Sequence, residues 1–377
     1  MNELNVQHAG LSLGLNAIPH LAQIISGEIG PFFLVLQDEG RGKHFVDLQL
    51  RLESLPESIR NELPDNHETV VVDTSLYKHL ASSGKRWDCG RFHVVRIDLT
   101  DTYAVVEREN ERITLFQPDP DLMVRDSVRA IKGLFTVAIE ARGGIQLHSS
   151  SVVADGKGVL LLGDMWQGKT TLLLELLSEF HVSQLSCDTT VVMQEPSEKS
   201  RIACYGWPSP FSVSHGAMAD YPELYSYFPE ERKSFSYDTL WKEAKKSVLT
   251  SNDVVEKFQS SLVPSVRELA ICLIIRFKPA EETSITRITS PEELEEHVRL
   301  VYLGSRDPIY HNWHGYLKTS DSRIDENIHA VSRLIFESAE TYVLTWAPSA
   351  VSLMKRIPFF ASSHKHLREL LKRQSSH

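Results

Sequence analysis

Long apolar runs are missing from this chain of 377 residues. None approaches the ~20 apolar residues that a membrane-spanning helix needs, and the opening residues Met1-Asn-Glu-Leu-Asn-Val-Gln7 lack the basic stretch and apolar core of a secretory leader. The expectation is a cytoplasmic protein without a membrane partner. Cysteine is scarce as well: Cys89, Cys187, Cys204 and Cys272 stand far apart with no C-x-x-C spacing, which argues for reduced thiols and against a disulfide framework or a zinc site. Dense basic blocks are also absent. Lysine and arginine number 40 against 50 aspartates and glutamates, the net charge is −10, and the cations come as scattered pairs such as Lys245-Lys246. Such a surface repels a polyanion, so nucleic acid is excluded as a partner and any anion must be held locally. The basic tail from His364 to Arg373 reads as the solvated face of a terminal helix, with contact to a phosphorylated partner as the alternative. No repeat or low-complexity tract occurs. What is present, 42 % hydrophobic and 24 % charged residues, is an ordinary globular composition in a chain long enough for two domains.

Between Pro31 and Gln117 the apolar residues fall in short β-branched or aromatic runs: Phe32 to Leu36, Phe45 to Leu50, Val70 to Val72, Phe92 to Ile97, Tyr103 to Val106 and Ile113 to Phe116. This predicts a β-rich (α+β) N-terminal domain. Gln117-Pro-Asp-Pro-Asp-Leu122 interrupts either periodicity, and the domain boundary is placed there, giving 1–122 and 123–377. Beyond it, Arg125 to Glu140 has helical spacing and stops at Gly143-Gly144. A strand from Ile145 to His148, a turn at Asp155 to Gly158, a strand at Thr189 to Met193 broken at Pro196, a buried strand at Leu269 to Phe277 and a helix from Pro291 to Leu300 follow. The second domain reads as α/β. Tyr221 to Glu256 shows no clear period and is a lid, a substrate loop or an irregular helical insertion.

Within that domain, Gly163-Asp-Met-Trp-Gln-Gly168-Lys169-Thr170 spells G-x-x-x-x-G-K-T between the apolar run Val159 to Leu162 and the helix-like run Thr171 to Leu177. Strand, glycine loop and helix occur in the order of a phosphate-binding P-loop. Glycines let successive N–H groups turn toward a polyphosphate, and a helix N-terminus adds partial positive charge. Gly163, Asp164, Met165, Trp166, Gln167, Gly168, Lys169, Thr170 and Thr171 are therefore the expected nucleotide-binding residues, with ATP and Mg²⁺ as ligands. Lys169 would reach the outer phosphates, and the Thr170 hydroxyl would ligate Mg²⁺. Thr171 takes that role if the register is off by one, although Thr170 fits the spacing better. Asp164 inside the loop would repel phosphate unless it points outward or binds a substrate ammonium or hydroxyl. A metal also needs a carboxylate near a strand end, and Asp188, after Gln184-Leu-Ser-Cys187, is the well-placed candidate, with a strand-capping turn as the bland alternative.

Leu147-His-Ser-Ser150, then Gly158 through Thr171, then Leu185-Ser-Cys-Asp-Thr-Thr-Val-Val192 is similar to the kinase domain of HPr kinase/phosphorylase, itself related to phosphoenolpyruvate carboxykinases. The resemblance covers roughly residues 125 to 210, with weaker echoes near Ile271 and from Ala339 to Trp346. It implies an α/β C-terminal domain of HPr-kinase-like type. It also implies that Lys169 is the phosphate lysine, Thr170 and Asp188 are Mg²⁺ ligands, and His148 is an active-site group near the transferred phosphate. Relatives of this kind are often oligomeric, so a homo-oligomer is a further expectation. Two departures stand out. Cys187 occupies the position of the family's first aspartate, which resembles the catalytic base; a thiol beside Mg²⁺-bound phosphates is a poor base because negative charge raises its pKa. No R-G-L-G-like segment follows, and the N-terminal region does not look like that of HPr kinase, so regulation through HPr is not expected.

Three functions compete. The leading one is an ATP-dependent kinase that transfers the γ-phosphoryl group to a hydroxyl of a small metabolite or peptide, with Lys169, Asp188 and His148 as catalytic residues. The second is a catalytically impaired nucleotide-binding regulatory protein, a pseudokinase that lost its base at Cys187. The third is a scaffold that recognises a partner through its N-terminal domain. Tyr205-Gly-Trp-Pro-Ser-Pro210 either lines a ligand cleft or covers a core, and His311-Asn-Trp-His314 lacks a third ligand for a metal.

Overall fold

The computed structural model describes residues 2–37, 43–73, 82–180, 182–195, 198–243, 245–277, 284–306 and 312–346. The chain divides into two compact units, Met1–Ile145 with Leu303–Asn327, and Gln146–Tyr302 with Ile328–His377. Among the described residues no helix is long and apolar enough to cross a membrane. Large mixed sheets and helices make the protein mixed α/β.

Alternating apolar residues build the sheet of the first unit. Strands β1 (Asn2–His8) and β2 (Leu11–Ala17) bury Leu4 and Val6 opposite Leu15 and Leu13. They are joined by Ala9-Gly10, both with positive φ (51° and 71°), as a two-residue hairpin of right-handed twist requires. This hairpin precedes the region from Pro31 in which strands were expected. After helix α1 (Pro19–Ile29) come β3 (Leu34–Gln37), β4 (Asp47–Arg51), a short helix α2 (Glu57–Arg60), β5 (Glu68–Asp73), β6 (Ser82–Asp88), β7 (His93–Ile97), β8 (Thr102–Glu107) and β9 (Arg112–Phe116). The sheet order is β3-β1-β2-β4-β9-β8-β7-β6-β5. The pairs β2–β4 and β4–β9 are parallel, and the run from β9 through β5 is antiparallel.

Helix α3 (Pro120–Ala141) starts within the stretch where the boundary was expected. Asp119 caps it by accepting hydrogen bonds from the N–H groups of Asp121 and Leu122, and Pro120 takes the first helical position, where a missing N–H costs nothing. The prolines and aspartates of 117–122 are thus a helix start. The division between units falls after Ile145, and Leu303–Asn327 belongs with the first unit.

The second unit opens within β10 (Ile145–Ala154), a strand longer than the one expected to end at His148, which turns at Asp155-Gly156 into β11 (Lys157–Leu162). Helix α4 (Lys169–Phe180), β12 (Ser183–Ser186), β13 (Thr189–Glu195) and β14 (Glu198–Gly206) follow. Pro196 lies outside the described residues. The stretch without a period resolves into β15 (Phe211–Ser214), α5 (His215–Ala219), two 3-10 turns, α6 (Tyr237–Lys242), β16 (Lys246–Leu249) and α7 (Ser251–Lys257). Then come β17 (Ser265–Val266), β18 (Leu269–Phe277), β19 (Ser284–Arg287), α8 (Pro291–Val301), β20 (Tyr302–Leu303), α9 (Asp321–Ser338), of which the part from Ile328 on belongs to this unit, and β21 (Glu340–Trp346). The main path of the sheet is β17-β14-β13-β10-β11-β18-β21-β19, with β12 also paired to β10, and β15 and β16 form a separate two-stranded sheet. Because β11 lies between antiparallel β10 and parallel β18, Val159 to Leu162 are buried throughout. Leu172 to Leu174, Leu176 and Leu177 are buried too, so α4 is apolar on nearly every side and sits within the core.

Candidate functional site

Strand β11 ends at Leu162, and the glycine loop leads directly into α4. A Cβ on Gly163 would stand 2.9 Å from the carbonyl oxygen of Ile275, which leaves space only for glycine. Asp164 Oδ1 accepts a hydrogen bond from the N–H of Met165 (2.7 Å), and Gln167 Oε1 accepts one from the N–H of Phe277 (2.6 Å), which fastens the loop to the end of β18. Gly168 has φ 91°, a left-handed conformation that turns the chain into the helix. Trp166 shares that region at φ 65° and is 56 % exposed, while Met165 is also exposed.

Lys169 is the first residue of α4 and is buried. Its Nζ donates to the carbonyls of Gly163 (2.8 Å) and Asp164 (3.0 Å), so two of the three ammonium N–H groups are used by the loop itself. Burial pulls its pKa down to about 8, with Asp188 and Asp164 opposing the fall and Lys246 adding to it. In the same first helical turn Thr170 is half-buried, whereas Thr171 is buried.

Asp188 lies in the two-residue bend between β12 and β13. The serines that follow His148 hold this bend. The N–H of Ser149 donates to the Asp188 carbonyl (2.9 Å), Ser150 Oγ donates to the Cys187 carbonyl (2.6 Å), and Ser151 Oγ and Thr190 Oγ1 are 2.9 Å apart. Ser149 is paired with Leu162 across β10 and β11, so His148, inside β10, lies one register step beyond the last residue of β11, where the glycine loop starts. Its Nε2 is 3.2 Å from Asp188 Oδ1. The His148 side chain is 14 % exposed and that of Asp188 49 %. Burial pushes the Asp188 carboxyl up, but the hydrogen bond of His148, with the charges of Lys169 and Lys246, outweighs it and holds the group below its ordinary value.

Cys187 faces the other way. Its Sγ donates toward the carbonyls of Ser209 (3.4 Å) and Pro210 (3.8 Å), Ser251 Oγ donates to it at 3.9 Å, and it packs within the apolar core of the unit. The adjacent positions of the bend therefore do different things: Asp188 reaches His148 and Cys187 ties the segment from 209 to 251 to the sheet.

That segment brings in a residue the sequence reading passed over. Lys246 opens β16, and its Nζ stands 4.1 Å from the centroid of the Trp166 ring. Partial loss of solvent lowers its pKa and the charge of Asp188 opposes the fall, so the two lie within electrostatic reach. The only sequence cue was a lysine pair ahead of Ser247-Val-Leu249, a pattern too short to place. Comparison with protein-family models and with curated proteins returns no match for this chain.

Trp207, in the aromatic segment 205–210, is fully buried in the core rather than lining a cleft. His311 lies outside the described residues. His314 belongs to the first unit, where it is fully buried and pulled down to about 3 by burial, its carbonyl accepting from His93 Nε2 (2.6 Å). Among the described residues no group of three His, Cys, Asp or Glu is placed to hold a metal ion. Asp188 and Thr170 are the oxygen donors that would hold a divalent ion here, and hard oxygen donors suit Mg²⁺. The buried Lys169 ammonium at the head of α4 fits a phosphate in the same way.

Proposed function

We propose that the second unit is a Mg²⁺-nucleotide-binding P-loop module of HPr-kinase-like type, and that the protein transfers the γ-phosphoryl group of ATP to a hydroxyl of a small metabolite or peptide. One observation carries this reading: a buried lysine, tethered by two carbonyls of its own glycine loop at a helix start, lies within electrostatic reach of a carboxylate that is paired with a histidine. Phosphoryl transfer asks mainly for positioning and for charge to offset the developing negative oxygens. Lys169 supplies a fixed cation. Asp188 and Thr170 would hold Mg²⁺, which would supply charge neutralisation for the phosphoryl group. With Nε2–H donating to Asp188, the Nδ1 lone pair of His148 takes the proton of the acceptor hydroxyl as its oxygen bonds to the γ-phosphorus and ADP leaves. The same reading expects a cytoplasmic protein and carries over the oligomeric habit of related enzymes.

The test is transfer from γ-labelled ATP to a library of hydroxyl-bearing metabolites and peptides, with and without Mg²⁺. Labelled product that needs Mg²⁺, and that falls roughly 10²-fold or more in Lys169→Ala, is the expected result. Absence of nucleotide binding in calorimetry with Mg²⁺ present would sink the reading. The Cys187 thiol favours a second reading, because the position that resembles the family's base is turned into the core. Nucleotide binding without transfer to any acceptor, in the same assay, would mark a regulatory nucleotide-binding protein.

A further inference from the structure

We propose that Lys246 is a second polyphosphate-binding cation of the glycine loop, supplied by the segment from 209 to 251 and held against the loop by the Trp166 ring. This rests on the nucleotide-site reading above. Three observations carry it. The first is placement: Lys246 Nζ stands 4.1 Å from the centroid of an indole that belongs to the loop itself, at the centre of the G-x-x-x-x-G-K-T run. The second is anchoring. The segment is fixed at both ends to the bend that carries Asp188, through the Cys187 thiol on Ser209 and Pro210 at one end and through Ser251 at the other, where Ser251 Oγ also accepts from Gln184 Nε2 (2.8 Å). Between the anchors, β15 and β16 pair so that Ser214 lies opposite Lys246. The lysine thus arrives by sheet register and not by a loose side-chain reach.

The third observation is charge. Lys169, tethered to the loop carbonyls, and Lys246, over the loop indole, are like charges at one glycine loop and repel one another. An anion between two such cations removes the repulsion and gains both attractions. A cation over an indole face is a weaker partner than a phosphate oxygen, which forms a charge-assisted hydrogen bond. The ring therefore holds the ammonium near the loop without competing for it once phosphate is present. Lys245 does not share this position: it precedes the strand, and its carbonyl accepts from the N–H of His215 (2.9 Å).

The experiment measures binding of Mg–ATP and of inorganic tripolyphosphate to the full-length protein by calorimetry at several salt concentrations, for wild type, Lys246→Ala, Lys246→Gln and Lys246→Arg. Lys246 is an exposed side chain, and two neutral variants guard against a single one that folds poorly. Loss of affinity for both ligands by roughly 10- to 100-fold in the neutral variants, with a shallower salt dependence and recovery in Lys246→Arg, is the expected result. Weaker binding with an unchanged salt dependence would show that Lys246 only braces the loop, and would overturn the proposal. Wild-type affinity in the neutral variants overturns it too, while leaving the nucleotide-site reading intact. A wild type that binds neither ligand overturns both.

Discussion

Taking an ammonium out of water disfavours its charged form, and Lys169 shows the effect with a pKa near 8 in place of the ordinary ~10.4. The sign of its consequences differs for stability and for binding. Below pH 8 the folded and unfolded chains both carry the proton, and the burial penalty is present in full. As pH rises from about 8 toward ~10.4 the folded state holds fewer protons than the unfolded one, so this group's penalty to stability is relieved. Phosphate binding needs the charged form, and a bound phosphate raises the lysine pKa again. Polyphosphate affinity is thus expected to be flat from pH 6.5 to 7.5 and to fall above about pH 8, by no more than about tenfold per unit for one proton. Calorimetry across that range at constant ionic strength checks it, and a flat profile to pH 9.5 would contradict the role of Lys169. Cys187 yields a second expectation at this scale. Its thiol sits among carbonyls and apolar side chains, so Cys187→Asp buries a carboxylate without a cation, at a cost of about 3 kcal/mol or more. Cys187→Ser keeps a donor and costs about 1 kcal/mol. Thermal melts compare them. A Cys187→Asp protein that melts like the wild type and turns over faster would show that this side chain can reach the site.

Between β11 and α4 the glycine loop is held at one end by close packing and at the other by Gln167 on Phe277. An alanine at 163 must push away the carbonyl of Ile275, a backbone atom of a buried strand that cannot rotate aside. Gly163→Ala is therefore expected to cost about 1–3 kcal/mol and to reduce polyphosphate affinity, because the displaced loop no longer presents its carbonyls to Lys169. Gly27, exposed within α1, gives the matched control. A Cβ there meets nothing within 4 Å, so Gly27→Ala should stabilise by about 0.5–1 kcal/mol through helix propensity. Melting temperatures that move in the same direction for both would refute the steric argument.

At the scale of the molecule, the assignment of α3 and Leu303–Asn327 to the first unit decides how the chain can be shortened. Helix α3 buries Ile131, Leu134 and Phe135, and the Phe135 ring packs edge-on against Phe33 (5.0 Å) and Phe45 (5.5 Å). A protein beginning at Met123 would keep every candidate site residue but strip these partners away. It is expected to bind an apolar fluorescent dye and to scatter light as an aggregate, where the full-length protein does neither. A monodisperse protein starting at Met123 that binds nucleotide normally would mean that α3 needs no partner from residues 1–122.

What the sequence determined alone is what contiguous residues can state: the strand, glycine loop and helix around 163–170, the buried strand at 269–277, and the proline-started helix at 291. Each depends on local periodicity, on turn chemistry, or on the donors of a helix start. Their side-chain neighbours are another matter. Apolar spacing says which face of an element is dry, not what that face meets, and two residues of one bend look alike in sequence even when one enters the core and the other the site. So Cys187 and Asp188 parted only in three dimensions, where three serines of β10 fix the bend. Lys246, 77 residues beyond Lys169 in the chain, reached the loop through the register of β15 and β16. The proline-rich stretch at 117–122 shows the limit from the other side. Its residues signal a stop to either periodicity, but whether that stop divides two bodies or begins a helix depends on what the following helix packs against, and only the tertiary structure contains that partner.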